Sequence, residues 1–166
     1  MEKIIYFQTD ENYKVTFIEF SDCENYIFVG CSSGRIYVYY LNDIDVIKNK
    51  NLSKRKINFF EYENLGLLKI INDHKGKINW MYFCKKLNIF ATVAEDKSVN
   101  LYTFPNLINF NVIQNHRFSF DYVFISSSPL PSLCLYSRTE LAFYSYSING
   151  TLISIEKDGV KNLLSP

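Results

Sequence analysis

The sequence predicts an all-β chain built from about three four-stranded antiparallel sheets set side by side, and three observations predict it. The first is composition. Of 166 residues, 48% are apolar and 21% charged, with 14 Phe, 13 Tyr and one Trp, so the chain can bury a core without disulfides or metal. The second is texture: short runs rich in Val, Ile, Tyr and Phe are broken by clusters such as Ser21-Asp22-Cys23-Glu24-Asn25 and Ser32-Ser33-Gly34, as in strands joined by tight turns. The third is an internal repeat. Lys14-Val15-Thr16-Phe17-Ile18-Glu19-Phe20 lies over Lys77-Ile78-Asn79-Trp80-Met81-Tyr82-Phe83 at an offset of 63 residues. Without a gap, the same offset places Arg35 to Tyr40 over Ser98 to Thr103. A third copy follows 42 residues later, with Trp80 over Tyr122, Phe90 over Ser132, Leu101 over Phe143, Tyr102 over Tyr144 and His74 over His116.

A leading outer strand is expected near 3–8, and strands at 14–20, 26–31 and 35–41 open the first unit. Its fourth strand is delayed to 65–72, because the offset of 63 exceeds 42 by 21 residues. That excess falls at 42–64, an insertion that includes the low-complexity run Lys48-Asn49-Lys50-Asn51-Leu52-Ser53-Lys54-Arg55-Lys56. The second unit takes strands at 77–83, 89–94, 98–104 and 107–113, and the third at 119–126, 132–137, 140–148 and 151–156. Asn149-Gly150 supplies the last hairpin turn, where both central residues need positive φ.

Ile36, Val38 and Tyr40 point to one face of their strand while Tyr37, Tyr39 and Leu41 point to the other, and neither set is polar. Strands buried on both faces have this pattern. A sheet sandwiched between two neighbouring sheets meets the condition, and a unit of about 42 residues fits the ~40–45-residue blade of a WD-type β-propeller. Residues 1–166 therefore read as one WD40-like repeat region, with blades at 9–72, 73–115 and 116–157 and the start of a further blade at 158–166. Closed propellers need at least about four blades, so this is a partial propeller. Its end sheets call for neighbours, supplied by the remaining blades of a longer chain or by an oligomer.

The second unit carries the clearest polar pattern. Asp73-His74 stands where WD repeats usually carry Gly-His, and Asp96-Lys97-Ser98-Val99-Asn100-Leu101-Tyr102 resembles the run that ends in Trp-Asp. The resemblance implies a structural network in which His74 bonds to Asp96, with Thr92 and Tyr102 in the places usually held by Ser and Trp. Buried polar groups need partners, and a satisfied network ties together loops that would otherwise fray. In the third unit Arg138 falls where Asp96 stands and Cys134 where Thr92 stands, and in the first Glu11 and Ser33 take the places of His74 and Asp96. Neither unit is expected to hold the network.

Other features are weighed against chemistry. Gly30-Cys31-Ser32-Ser33-Gly34 matches the Gly-x-Ser-x-Gly elbow of serine hydrolases at Ser32. That elbow needs a helix after the serine, whereas Arg35 to Tyr40 reads as strand. The cations Lys48, Lys50, Lys54, Arg55 and Lys56 could form a patch for anionic lipid, making peripheral membrane contact an alternative role, although a solvated loop is the plainer expectation. A net charge of +1 gives no global drive toward nucleic acid, and none is expected as a partner. Cys23, Cys31, Cys84 and Cys134 lack the spacing of a zinc site or a disulfide framework. No cofactor, metal or catalytic residue is expected. The start of the chain lacks the pattern of a signal peptide, and no apolar run reaches about 18 residues. A cytoplasmic, non-enzymatic protein-binding scaffold is the expected function.

Residues 73–155 are also similar to the WD-repeat region at the carboxyl end of BEACH-domain proteins. The phrases carrying the likeness are Asp96-Lys97-Ser98-Val99-Asn100-Leu101-Tyr102-Thr103-Phe104-Pro105 and Phe143-Tyr144-Ser145-Tyr146-Ser147-Ile148-Asn149-Gly150-Thr151-Leu152. The resemblance implies a large cytoplasmic scaffold in vesicle or membrane traffic, with this segment as a protein-binding surface. The BEACH domain and its preceding PH-like domain are absent from this sequence, as is any Trp-Asp dipeptide.

Overall fold

A computed structural model describes residues 14–21, 25–40, 66–115 and 117–157. The described residues form twelve strands in three antiparallel sheets, with no helix among them. Sheet 1 holds β1 (Val15–Phe20), β2 (Tyr26–Cys31), β3 (Ile36–Tyr40) and β4 (Leu67–Ile71). Sheet 2 holds β5 (Ile78–Cys84), β6 (Ile89–Ala94), β7 (Ser98–Thr103) and β8 (Asn109–Gln114). Sheet 3 holds β9 (Tyr122–Ser126), β10 (Ser132–Ser137), β11 (Ala142–Ser147) and β12 (Leu152–Lys157). Each is a meander whose strand order follows the chain. The sheets meet chiefly through their first strands, β1 against β5 and β5 against β9, as blades do around a shared axis. The expected strand at 3–8, the insertion at 42–64 and the further blade at 158–166 lie outside the described residues.

Alternation along the strands sends one set of side chains to each neighbouring sheet. From sheet 2, Met81, Phe83 and Phe90 pack toward Phe28, Val38 and Ile71 of sheet 1, with the Phe28 and Phe90 rings stacked at 4.1 Å. Ala91, Val93, Val99 and Leu101 pack the other way, against Val123, Ile125, Leu133 and Leu135 of sheet 3, and all four are fully buried. Each large side chain so buried contributes about 1.5–3 kcal/mol. Sheet 2 is thus apolar on both faces, and in sheet 1 the strand whose sequence shows that pattern, β3, buries Ile36, Tyr37 and Val38.

Register corrects the alignment of the third copy. Trp80 pairs with Val93 and Thr92 with Asn100, whereas Tyr122 pairs with Tyr136 and Leu135 with Tyr144. Val123 and Ile125 occupy the faces of Met81 and Phe83, so Trp80 and Tyr122 are equivalent. It follows that Leu135, not Cys134, matches Thr92, and that Tyr144 matches Asn100 and Tyr146 matches Tyr102. Two single-residue insertions produce this. One lies in the loop 127–131, compared with 85–88, and one in the turn 138–141, compared with 95–97. An ungapped alignment cannot register them, and each one-residue slip turns a side chain to the opposite face.

Candidate functional site

His74 lies in the loop that leaves β4 for β5, and Gly34 fixes that loop closely against the β2–β3 turn. With φ at +87°, Gly34 brings its Cα so near that an added Cβ would lie 2.6 Å from the His74 carbonyl oxygen. Only glycine combines that backbone angle with that approach. Ser98, Asn100 and Tyr102 follow at two-residue steps along one face of β7, and Thr92 on β6 sits opposite Asn100. The Asp96 turn between β6 and β7 is closed by Lys97 at φ 68°.

These residues converge on a histidine that is 5% exposed. His74 Nδ1 lies 3.1 Å from Asp96 Oδ2, and Nε2 lies 2.7 Å from Thr92 Oγ1 and 3.2 Å from Asn100 Nδ2. Because an amide nitrogen only donates, Nε2 is assigned as the acceptor and the ring proton goes to Nδ1, which donates to Asp96. Asp96 also accepts from Lys75 N–H at 2.7 Å, Ser98 N–H at 3.0 Å and Ser98 O–H at 2.6 Å. Burial by itself would raise the Asp96 pKa. Hydrogen bonds from His74, Ser98 and the Lys75 backbone outweigh it and hold the carboxyl well below the usual carboxylate range.

His74, Thr92 and Asp96 are therefore brought together, and Tyr102 is not bonded to them. Its side chain is fully buried beside Asp73, Asn100 and Thr92, and its hydroxyl is close enough to feel all three without reaching the geometry of an ordinary hydrogen bond to any of them. Burial, with the Asp73 charge next, pushes its ionisation above the ordinary phenol range. Ser98 and Asn100 belong to the cluster although neither is singled out by sequence. Their signal was the two-residue spacing from Asp96, which places Ser98 in an Asx-type turn and Asn100 on the same face. Among the described residues the hydroxyl on Nε2 is that of Thr92, at 0% exposure, so the pair sits in the packed interior and not in an open cleft. What the arrangement does chemically is cross-link the loop at 73–76 to the turn at 95–97.

Matching positions in the other sheets are apolar or aromatic. Val29 and Tyr37 stand in sheet 1 where Thr92 and Asn100 stand in sheet 2, and both are buried. In sheet 3 the space is filled by Phe118, Phe120, Tyr144 and Tyr146, with ring centroids 5.4–6.4 Å apart. Its loops are joined differently: Arg138 N–H donates to Asp121 Oδ2 at 2.7 Å, so here the entering loop supplies the carboxylate. The Arg138 guanidinium stacks 5.0 Å over the Tyr122 ring and bonds to its hydroxyl. Cys134 is partly buried on the opposite face, where burial and then Glu156 push its thiol pKa up.

Ser32 sits in the turn between β2 and β3, its hydroxyl accepting from Lys14 N–H at 3.1 Å. Strand β3 occupies the place where a nucleophile elbow needs a helix. Among the described residues, no group of three or more His, Cys, Asp or Glu could hold a metal ion. Glu11, His116 and the cations Lys48, Lys50, Lys54, Arg55 and Lys56 lie outside the described residues.

No family model and no curated protein matches the chain. Solved structures do. The WD40 repeats of RRP9 superpose with a TM-score of 0.68 at 10% identity, over 90% of this chain and 40% of that one. The β-propeller domain of Cps50 (Swd1) from Myceliophteria thermophila gives 0.67 at 13% identity, over 87% of this chain and 44% of that one. U3-55K gives 0.67 at 11% identity, over 90% and 41%. The chain spans less than half the length of these neighbours, and at such identities the likeness is one of fold.

Proposed function

From the premise that this chain is a WD40-like β-propeller segment, we propose that it serves as a non-enzymatic protein-interaction scaffold. Its structural partners are the remaining blades of a longer chain or an oligomer, and its functional partners are proteins. The observation that carries this is the stack of three sheets, each buried against the next, which superposes on WD40 propellers over 87–90% of the chain. The outward face of sheet 3 supports it. Phe143 there is 40% exposed, where sheet 2 buries Val99 completely at the corresponding position.

The finer role, drawn from the similarity of 73–155 to BEACH-domain proteins, is in cytoplasmic vesicle or membrane traffic. Peripheral membrane contact would run through Lys48, Lys50, Lys54, Arg55 and Lys56. Two measurements test these levels separately. A photo-reactive residue at Phe143 is expected to cross-link to protein in cells, and no protein adduct would overturn the scaffold role. An in-frame BEACH domain in the transcript, with protein in cytosol and on vesicles, is expected for the trafficking role; a transcript without that domain would remove it.

A further inference from the structure

Among the described residues the most exposed large apolar side chains are Leu130 at 77%, Ile153 at 62% and Ile108 at 58%. All three sit at one end of sheets 2 and 3. Ile108 lies in the β7–β8 turn, Leu130 in the β9–β10 turn, and Ile153 near the start of β12, just after the β11–β12 turn. Pro129 and Pro131 flank Leu130 and restrict its backbone, so the side chain projects at little further entropic cost. The β5–β6 turn belongs to the same end, tied to the β7–β8 turn by Phe104 N–H donating to the Asn88 carbonyl at 2.8 Å. Its Leu87 packs on the core between sheets 2 and 3, while Lys85 and Lys86 stay exposed. Both lysines line an open depression of about 380 Å³ between the two sheets, whose wall also includes Cys84, Ile125 and Ser127.

Charge is segregated along the strands. All six carboxylates between residues 73 and 157, those of Asp73, Glu95, Asp96, Asp121, Glu140 and Glu156, lie toward the opposite end. The turns 85–88, 104–108, 127–131 and 148–151 contain none, so no acid in them opposes Lys85 and Lys86. A cationic end that combines acid-free turns with projecting apolar side chains matches an anionic bilayer twice over. Ammonium groups meet lipid phosphates at headgroup level, and the apolar side chains enter the acyl boundary. A folded protein partner would need a separate hollow for each projecting residue, whereas a bilayer receives all three without one. We propose that this end of sheets 2 and 3 docks peripherally on a membrane rich in anionic phospholipid, with Leu130 inserted and Lys85 and Lys86 on the headgroups. Residues 22–24 and 41–65, which join the strands of sheet 1 at this end, lie outside the described residues. The site is drawn from sheets 2 and 3 alone and needs none of the cations at 48–56. It also stands apart from the scaffold role, since Phe143 lies on the outward face of sheet 3, away from these turns.

The test is co-sedimentation of the full chain with vesicles of phosphatidylcholine containing about one-third phosphatidylserine. Binding is expected there, and about tenfold less on phosphatidylcholine alone. Lys85→Gln together with Lys86→Gln should weaken it about thirtyfold, and Leu130→Ser about tenfold. Lys75→Gln together with Arg117→Gln removes the same charge from the opposite end and should leave binding within about twofold. All five side chains are exposed, so the fold survives each change. No binding by the unaltered chain, equal losses from the two charge pairs, or indifference to Leu130→Ser would overturn the docking. Release of the bound chain by soluble glycerophosphoserine would assign the lysines to a free anion and overturn it too. So would a loss caused by glutamine at Lys48, Lys50, Lys54, Arg55 and Lys56 if the Lys85 and Lys86 pair has no effect.

Discussion

Sheets 2 and 3 share one backbone plan and solve its interior in opposite ways. Between its incoming loop and its β6–β7 turn, sheet 2 places a histidine, a carboxylate, a threonine and an asparagine, each with hydrogen-bond partners. In the same space sheet 3 places four aromatic rings and keeps a single carboxylate, Asp121, to hold the turn. A polar cluster gains directional specificity and risks a large penalty if any member is lost. An aromatic cluster gains area and ring contacts, about 0.5–1.5 kcal/mol per pair beyond burial. The repeat thus conserves strand geometry and leaves the means of joining the loops open.

Four substitutions probe this contrast, all read as shifts in denaturant unfolding of the full chain. Phe120→Ala, which empties a side chain 1% exposed at the centre of the aromatic cluster, should cost the most, about 3–5 kcal/mol. Leu135→Thr places a hydroxyl where Thr92 stands in sheet 2 without supplying its histidine. The lost apolar contact and unpaired group together should cost about 2–4 kcal/mol. A negligible effect would mean that the matching of Leu135 with Thr92 is wrong. His74→Ala leaves Asp96 short of a donor and Thr92 short of an acceptor, for about 1–3 kcal/mol. Asp121→Ala removes one partly exposed acceptor from Arg138 N–H and should cost the least, about 0.5–1 kcal/mol. If it costs as much as His74→Ala, the two sheets do not differ in how strongly their loops are tied.

Much of this was legible in the sequence. Strand positions followed from apolar runs and turn clusters because period-two burial and turn chemistry are local properties. His74, Thr92 and Asp96 were legible through the resemblance of Asp73-His74 and of the run Asp96 to Tyr102 to the WD-repeat pattern, not through the first copy, which lacks these residues. The third copy misled where two loops each gained one residue, since aromatic residues are so frequent here that a wrong register still superposes ring on ring. Asp121 escaped notice for a related reason: it sits on the entering segment rather than in the turn where Asp96 would place a carboxylate. The orphaned Tyr102 hydroxyl could not be read at all, because a two-residue spacing fixes the face of a side chain and not the reach of its tip.

The account depends most on a charged Asp96 holding both loops, and acid unfolding tests that directly. A carboxyl whose folded pKa lies below its ordinary value of 3.8 stabilises the fold fully above that value. The contribution fades as pH falls from 3.8 toward the depressed folded value. Unfolding free energies of the wild type and Asp96→Asn, measured side by side from about pH 7 to about pH 2, should show a constant wild-type advantage above about pH 5 and a steadily shrinking one below 3.8. An advantage that stays the same down to about pH 2, or that is missing at every pH, would contradict a charged Asp96 as the clasp between the two loops.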